Sequence, residues 1–210
     1  MIAAIILAAG ASHRMGSPKA LLPYRGSTFL ATVLEACRAV GMERRIVALG
    51  EDASNIMQEV DLRGVDVVVN PDPDTGPLRS LQLALGCVVN HPVEAVLVWH
   101  VDRPHISIGV VEALLEQFRS GGAAIVAPAF SGRRGHPVVF GRAVFEELLG
   151  TPIERGARAV VHADPSRVAV VEVADPAVVE DVNTPDAYRE LLRRAEGLSA
   201  SPRRPGSPPP

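Results

Sequence analysis

An uninterrupted apolar run, Ile2–Leu7, leads straight into the loop Leu7-Ala-Ala-Gly-Ala-Ser-His-Arg-Met-Gly-Ser-Pro-Lys19, and this junction constrains the fold more than any other stretch. A short continuous apolar run reads as a strand buried on both faces. A glycine-bearing loop leaving such a strand exposes backbone N–H groups, which are natural donors to phosphate oxygens. Arg14 and Lys19 add two cations, one suited to bidentate phosphate contact and one a compact point charge. The reading is a nucleoside triphosphate site near the N-terminus. Two familiar phosphate loops are excluded by spacing. Gly10 and Gly16 are separated by five residues and Lys19 comes three after Gly16, which breaks the P-loop pattern, and no middle glycine completes G-x-G-x-x-G.

The pattern continues along the chain. Strand-like runs fall near 2–7, 45–50, 65–70, 94–99, 123–127, 137–140 and 168–173. Helix-like segments fall near 28–40, 52–60, 78–89, 107–119, 142–149, 155–162 and 185–197. Alternation of this kind predicts a single-domain α/β fold with a mostly parallel sheet and helices on both faces. Ser27 and Thr28 are candidate caps for the first helix, and Thr184-Pro185 for the last, with Arg193 and Arg194 at its C-terminal end. With few aromatics, Val, Leu, Ile and Ala must fill the core. The domain is expected to span 1–198, with 199–210 a disordered Pro/Ser-rich tail; no internal repeat is visible.

Composition narrows the function classes. A net charge of −3 argues against a nucleic-acid surface, while leaving room for a local phosphate site. Cys37 and Cys87 form no C-x-x-C pair and read as two buried, reduced thiols. No basic leader precedes the first strand and no apolar run reaches membrane-spanning length, so no membrane partner and a cytoplasmic location are expected.

In an open α/β sheet, ligands collect at the carboxyl ends of the strands. Asp102, in Trp99-His100-Val101-Asp102-Arg103-Pro104, sits at such an end. It is either a hard oxygen ligand for Mg²⁺ or a cap for the segment starting at Ser107. Arg103 either reaches phosphate or, the favoured reading, points to solvent. Asp181-Val182-Asn183-Thr184-Pro185 offers a carboxylate and an amide oxygen. Gly135-His136-Pro137 follows Arg133 and Arg134, and their company favours a phosphate or acceptor contact for His136. The stretch Asn70–Leu81 is an Asp/Pro-rich turn before a helix.

The pattern L-A-A-G-x-S-x-R-M-G-x-x-K resembles the signature of nucleotidyltransferases related to the molybdenum cofactor guanylyl- and cytidylyltransferases, with sugar-phosphate nucleotidyltransferases as wider relatives. Pro18-Lys19-Ala20-Leu21-Leu22-Pro23 is most similar to the cytidylyltransferase branch. Val101-Asp102-Arg103-Pro104 resembles that family's metal-binding Asp-x-Pro motif. Asp181-Val182-Asn183-Thr184-Pro185 resembles its Asp-Ile-Asp-Thr-Pro, with Asn183 replacing an acidic residue, and Gly135-His136-Pro137 resembles the stretch that shapes the second-substrate pocket. Glu154–Arg158 departs from the family's Gly-Asp-x-Gly-Ala-Arg at its first two positions.

The resemblance covers residues 2–192 and implies a Rossmann-like nucleotidyltransferase. The implied catalytic residues are Arg14, Lys19 and Asp102. Leu7, Ala8, Ala9, Gly10, Gly16, Asn70, Gly76, Ser80 and His136 would bind substrate, with Gly76 and Ser80 near the base. Asp102, Asn183 and Asp181 would hold magnesium. The expected reaction moves a nucleoside monophosphate from an NTP, CTP favoured, to a phosphorylated acceptor, molybdopterin first, with a molybdoenzyme or maturation factor as partner. The alternatives are a guanylyl- or sugar-phosphate nucleotidyltransferase, or a non-catalytic nucleotide- or cofactor-binding module.

Overall fold

The computed structural model describes residues 1–10 and 15–199. Its strands are β1 (Ile2–Ala8), β2 (Pro23–Tyr24), β3 (Ser27–Thr28), β4 (Arg45–Leu49), β5 (Asp66–Val69), β6 (Ala95–His100), β7 (Ile125–Phe130), β8 (Arg133–Arg134), β9 (Val138–Gly141) and β10 (Val168–Glu172). Its helices are α1 (Phe29–Ala39), α2 (Ala53–Glu59), α3 (Pro77–Gly86), α4 (Ile108–Arg119), α5 (Phe145–Gly150), α6 (Arg158–Ala163) and α7 (Pro185–Ser199). The main sheet runs β10-β7-β9-β6-β1-β4-β5, with β8 paired to β7. Contacts among β1, β4, β5 and β6 are parallel, as is β10 on β7, while β9 runs antiparallel to both its neighbours. The single-domain α/β reading therefore stands.

Strand alternation divides the core in two. Ala4, Ile6 and Ala8 of β1 face a cluster that includes Phe29, Leu30 and Val33 of α1 and Leu114 of α4. Ala3, Ile5 and Leu7 face the other way, onto Leu78, Leu81 and Leu85 of α3 and Phe145 of α5. Burial on both faces explains why β1 reads as a continuous apolar run rather than an alternating one. Truncating the fully buried Ile5 to Ala would cost roughly 2–5 kcal/mol.

Caps follow the sequence closely. Thr28 Oγ1 accepts from the Ala31 amide at 3.2 Å, and Thr184 Oγ1 accepts from the Ala187 amide at 3.2 Å. Ser27 instead belongs to β3, paired with Tyr24. Arg193 and Arg194 do not occupy the last turn of α7, because the helix runs on to Ser199. They pair instead with Glu190, and Arg194 also with Glu180. Cys37 is buried and free, but Cys87 is free and only half-buried, because it follows the last turn of α3. No helix among the described residues is long and apolar enough to cross a membrane. The predicted tail from 200 onward lies outside the described residues.

The chain leaves β1 for β4 on one side and later returns to β6 on the other. The sheet thus switches direction between β1 and β6, where a crevice opens at the strand carboxyl ends. Leu7 is the register partner of His100, and Leu7 O accepts from the Val101 amide at 3.1 Å. The two sequence motifs that flank the crevice are therefore locked together by main-chain bonds.

Candidate functional site

At this crevice the Lys19 ammonium donates to Asp102 Oδ2 at 3.3 Å and to Asn183 Oδ1. Three motifs far apart in sequence meet on one cation. Each is held by its own element. Lys19 opens a 3₁₀ turn after the loop, Asp102 follows β6, and Asn183 precedes α7. The Val182 amide donates to Asp102 O at 3.0 Å, which docks the 181–184 segment on the Asp102 turn. Asp102 does not cap the Ser107 helix. The Ser107 amide is taken by Asp175 Oδ2 at 3.2 Å instead.

Asp102 Oδ1 is buried and has no hydrogen-bond partner among the described residues. A half-satisfied buried carboxylate is costly unless a cation or donor completes it. No group of three or more His, Cys, Asp or Glu side chains among the described residues forms a metal cage. One carboxylate oxygen and one amide oxygen nevertheless fit a hard cation that takes its other ligands from water and phosphate, the habit of Mg²⁺. Asp181 is exposed and lines a separate cavity with His105 and Glu180. Its charge acts on His100 and Arg103, which flank Asp102 in the chain.

Two cavities share the wall Ala8, Ala9, Gly10, Lys19 and Pro73. One, about 290 Å³, extends over Gly16, Ser17 and the Gly50–Asp52 turn. Gly50 is required there, because a Cβ on it would lie 2.4 Å from Ala9 O. The other, about 220 Å³, is closed by Leu7, Gly76, Ser80, His100 and Asp102. It also takes in the start of α3, where Gly76 and Pro77 leave the first amides without a side-chain cap. Asn70 stands apart. It is buried, its Nδ2 donates to Ser80 Oγ at 3.0 Å, and its Oδ1 accepts from the Asp72 amide, so it braces the 70–80 loop. Arg14 lies outside the described residues.

Sequence reasoning missed a histidine pair. The His100 and His136 rings meet edge to face, centroids 4.5 Å apart. Burial pushes both imidazoles toward the neutral form, His136 to about 3, helped by His100 and Arg103 nearby. Arg103 does not point to solvent. Its guanidinium donates to Val178 O at 2.8 Å, a carbonyl that also accepts from the His136 amide at 2.8 Å. That partner lies far along the sequence, so no local pattern announced it. Arg133 and Arg134 are exposed on β8, and Glu154 and Arg155 are exposed too.

Residues 4–169 match the MobA-like NTP transferase domain. The chain is 33% identical over 200 residues to the nicotine blue oxidoreductase of Paenarthrobacter nicotinovorans, which spans 91% of this chain and 96% of that protein. It is 27% identical over 187 residues to the molybdenum cofactor cytidylyltransferase of Escherichia coli K12, spanning 88% and 92%. The crystal structure of Rv0371c from Mycobacterium tuberculosis H37Rv is similar with a TM-score of 0.82 at 34% identity, covering 91% of this chain and 97% of that one. That protein is also known as a complex with manganese, with a TM-score of 0.75, 32% identity and coverage of 91% and 98%.

Proposed function

We propose, from the premise that the chain belongs to the MobA-like NTP transferase family, that this nucleotidyltransferase moves CMP from CTP to the phosphate of molybdopterin. The observation that carries the reading is the meeting of Lys19, Asp102 and Asn183 at the sheet switch point. An acceptor phosphate oxygen attacks the α-phosphorus in line. A new P–O bond forms, the α–β bridging bond breaks, and pyrophosphate leaves with its electron pair. No protein nucleophile is needed; positioning and charge neutralisation do the catalysis. Backbone amides of Ala8–Gly10 and the cations Lys19 and Arg14 take the triphosphate. Gly76, Ser80 and the start of α3 bound the nucleoside. Asp102 and Asn183 would hold Mg²⁺, which supplies Lewis-acid neutralisation at the α-phosphoryl when bound. Asn183 contributes a carbonyl oxygen but no charge, so metal affinity without nucleotide is expected to be weak.

The relative named a cytidylyltransferase and the Pro18–Pro23 stretch support CTP and molybdopterin. On this reading the product passes to a molybdoenzyme or maturation factor in the cytoplasm. A second reading, an oxidoreductase using the same crevice, is favoured by the near end-to-end likeness to a protein bearing that name. Pyrophosphate release is measured with CTP, GTP, ATP and UTP, Mg²⁺ and molybdopterin, beside consumption of a reduced nicotinamide dinucleotide. Release with CTP alone supports the proposal. Preference for GTP removes the cytidylyl assignment, and dinucleotide oxidation without pyrophosphate establishes the second reading.

A further inference from the structure

We infer that His100, held by His136, contacts the uncharged sugar–base half of the bound nucleotide and is a specificity-determining residue of this site. The inference rests on the nucleotidyl-transfer reading and goes beyond it in naming a contact that neither the loop nor the metal motif supplies.

The placement comes from strand register. Val98 of β6 opposes Val138 of β9, and the same register carried two residues further sets His136 opposite His100. On the other side, Leu7 of β1 is the partner of His100. The side chains of Leu7, Val96 and Val98 lie on the α3-covered face, so His100 ends an otherwise apolar row. A leucine there would pack against Leu7 and Val98 without polar cost. Two imidazoles side by side carry that cost, and His136 Nδ1 is buried with no partner among the described residues. Breaches of core patterning of this kind collect where a ligand repays them.

His136 is fixed from behind. Its amide donates to Val178 O, and Arg103 donates to the same carbonyl. Gly135 lies so close that a Cβ would sit 2.0 Å from Val178 O. The edge-to-face contact then fixes the His100 ring. His100 itself lines the 220 Å³ cavity beside Ser80 and Gly76. Ala8, Ala9, Gly10 and Lys19 line this cavity as well and continue into the second one, whose further lining of Gly16, Ser17 and Gly50 does not include His100. Phosphates seated over the loop in that second cavity leave His100 to the rest of the nucleotide. What reaches its ring is a ribose hydroxyl or a base edge, to which an imidazole offers a flat face and a hydrogen-bonding nitrogen. His136 is a positioning residue that acts through His100.

The test compares ligands that share phosphates but not the nucleoside. Calorimetry with Mg²⁺ measures binding of inorganic tripolyphosphate and of whichever of CTP, GTP, ATP and UTP wild type binds most tightly. His100→Ala is expected to weaken nucleotide binding by at least about tenfold, the loss of one good contact. Tripolyphosphate binding should stay within about twofold. His100→Gln, which keeps a polar group and guards against misfolding of the alanine variant, should recover part of the loss. His136→Leu should weaken nucleotide binding too, and His100→Ala/His136→Leu should be no weaker than His100→Ala alone. Unchanged nucleotide binding in both His100 variants overturns the inference, as does an equal loss of tripolyphosphate. If wild type binds no NTP, the nucleotidyl-transfer reading fails and takes this one with it; if it binds one and the variants match it, only this inference falls.

Discussion

The two edges of the sheet use the same kinds of side chain to different ends. At the amino-terminal edge, cations are spent on carbonyls and carboxylates. Arg142 donates to Val89, His91 and Val93 oxygens at 2.7–3.0 Å. Arg44 reaches Cys87 O and Asp66, and Arg167 reaches Val160 O and Glu147. Their Nε–H groups aside, these guanidinium groups stitch loops to strand starts. At the carboxyl edge, Lys19 and Asp102 meet with an oxygen left over, and His136 keeps an unpartnered nitrogen. Arg44 and Arg167 at the amino-terminal edge leave over a buried Nε–H, on guanidinium groups bonded through their terminal nitrogens, whereas Asp102 at the carboxyl edge leaves its oxygen beside a cavity that a ligand can fill.

The largest effect is expected at the carboxyl edge. Lys19→Met should lower the rate of pyrophosphate release by at least about a hundredfold, the scale of losing one preorganised charge at a reacting phosphate. Stability in urea unfolding should fall by roughly 1–3 kcal/mol, since the variant strands the largely buried Asp102 carboxylate, so turnover is read on protein shown folded by circular dichroism. A folded variant with wild-type turnover removes Lys19 from the mechanism.

Next comes pH. His136 titrates near 3 when folded but near the ordinary histidine value when unfolded. Between those values the unfolded chain binds the extra proton, so stability is full above the unfolded value and falls as pH drops toward the folded one. The slope is at most about 1.4 kcal/mol per pH unit, so roughly 2–3 kcal/mol disappears between pH 6.5 and pH 4.5. Urea unfolding of His136→Leu should show a visibly flatter profile over that window. An identical slope would mean that His136 is not the buried neutral group.

At the amino-terminal edge the expectation reverses. Arg142→Ala should cost about 1–2 kcal/mol in urea unfolding, the loss of three bonds at a largely exposed site. Its kcat should match wild type; a drop in turnover without loss of stability would blur the distinction between the edges. Thr28→Ala, which removes one helix cap near neither edge's charged groups, should cost about 1 kcal/mol and leave nucleotide binding alone.

Much of the fold was legible because burial writes itself into periodicity. Doubly covered β1, β4 and β6 read as apolar runs, and α1 and α4 read as amphipathic ones. The hairpin of β2 and β3 was not legible, since two-residue strands carry no period and are set by the Arg25-Gly26 turn. Within the site, Lys19 and Asp102 were readable as charged residues beside strand ends. Their meeting with Asn183 was implied only by resemblance, because 164 residues separate it from Lys19. Arg103 was misread as solvent-facing because its partner, Val178 O, is a backbone atom that no side-chain pattern marks. Asn70 was placed among the substrate-binding residues on resemblance, and its links to Ser80 Oγ and the Asp72 amide, which brace that loop, are marked by no sequence pattern. The His100–His136 pair had one available signal, the antiparallel register of β6 and β9, which sequence alone does not give.

The central claim is that the open oxygen of Asp102 seats a divalent cation brought with a triphosphate. Asp102→Asn keeps the shape and removes the charge, so Mn²⁺ binding followed by electron paramagnetic resonance, with and without CTP, reads the claim directly. Wild type should hold Mn²⁺ at least about tenfold more tightly with CTP than without it, and Asp102→Asn should lose most of that gain while unfolding at a similar urea concentration. Equal Mn²⁺ binding by the two proteins in the presence of CTP would contradict it.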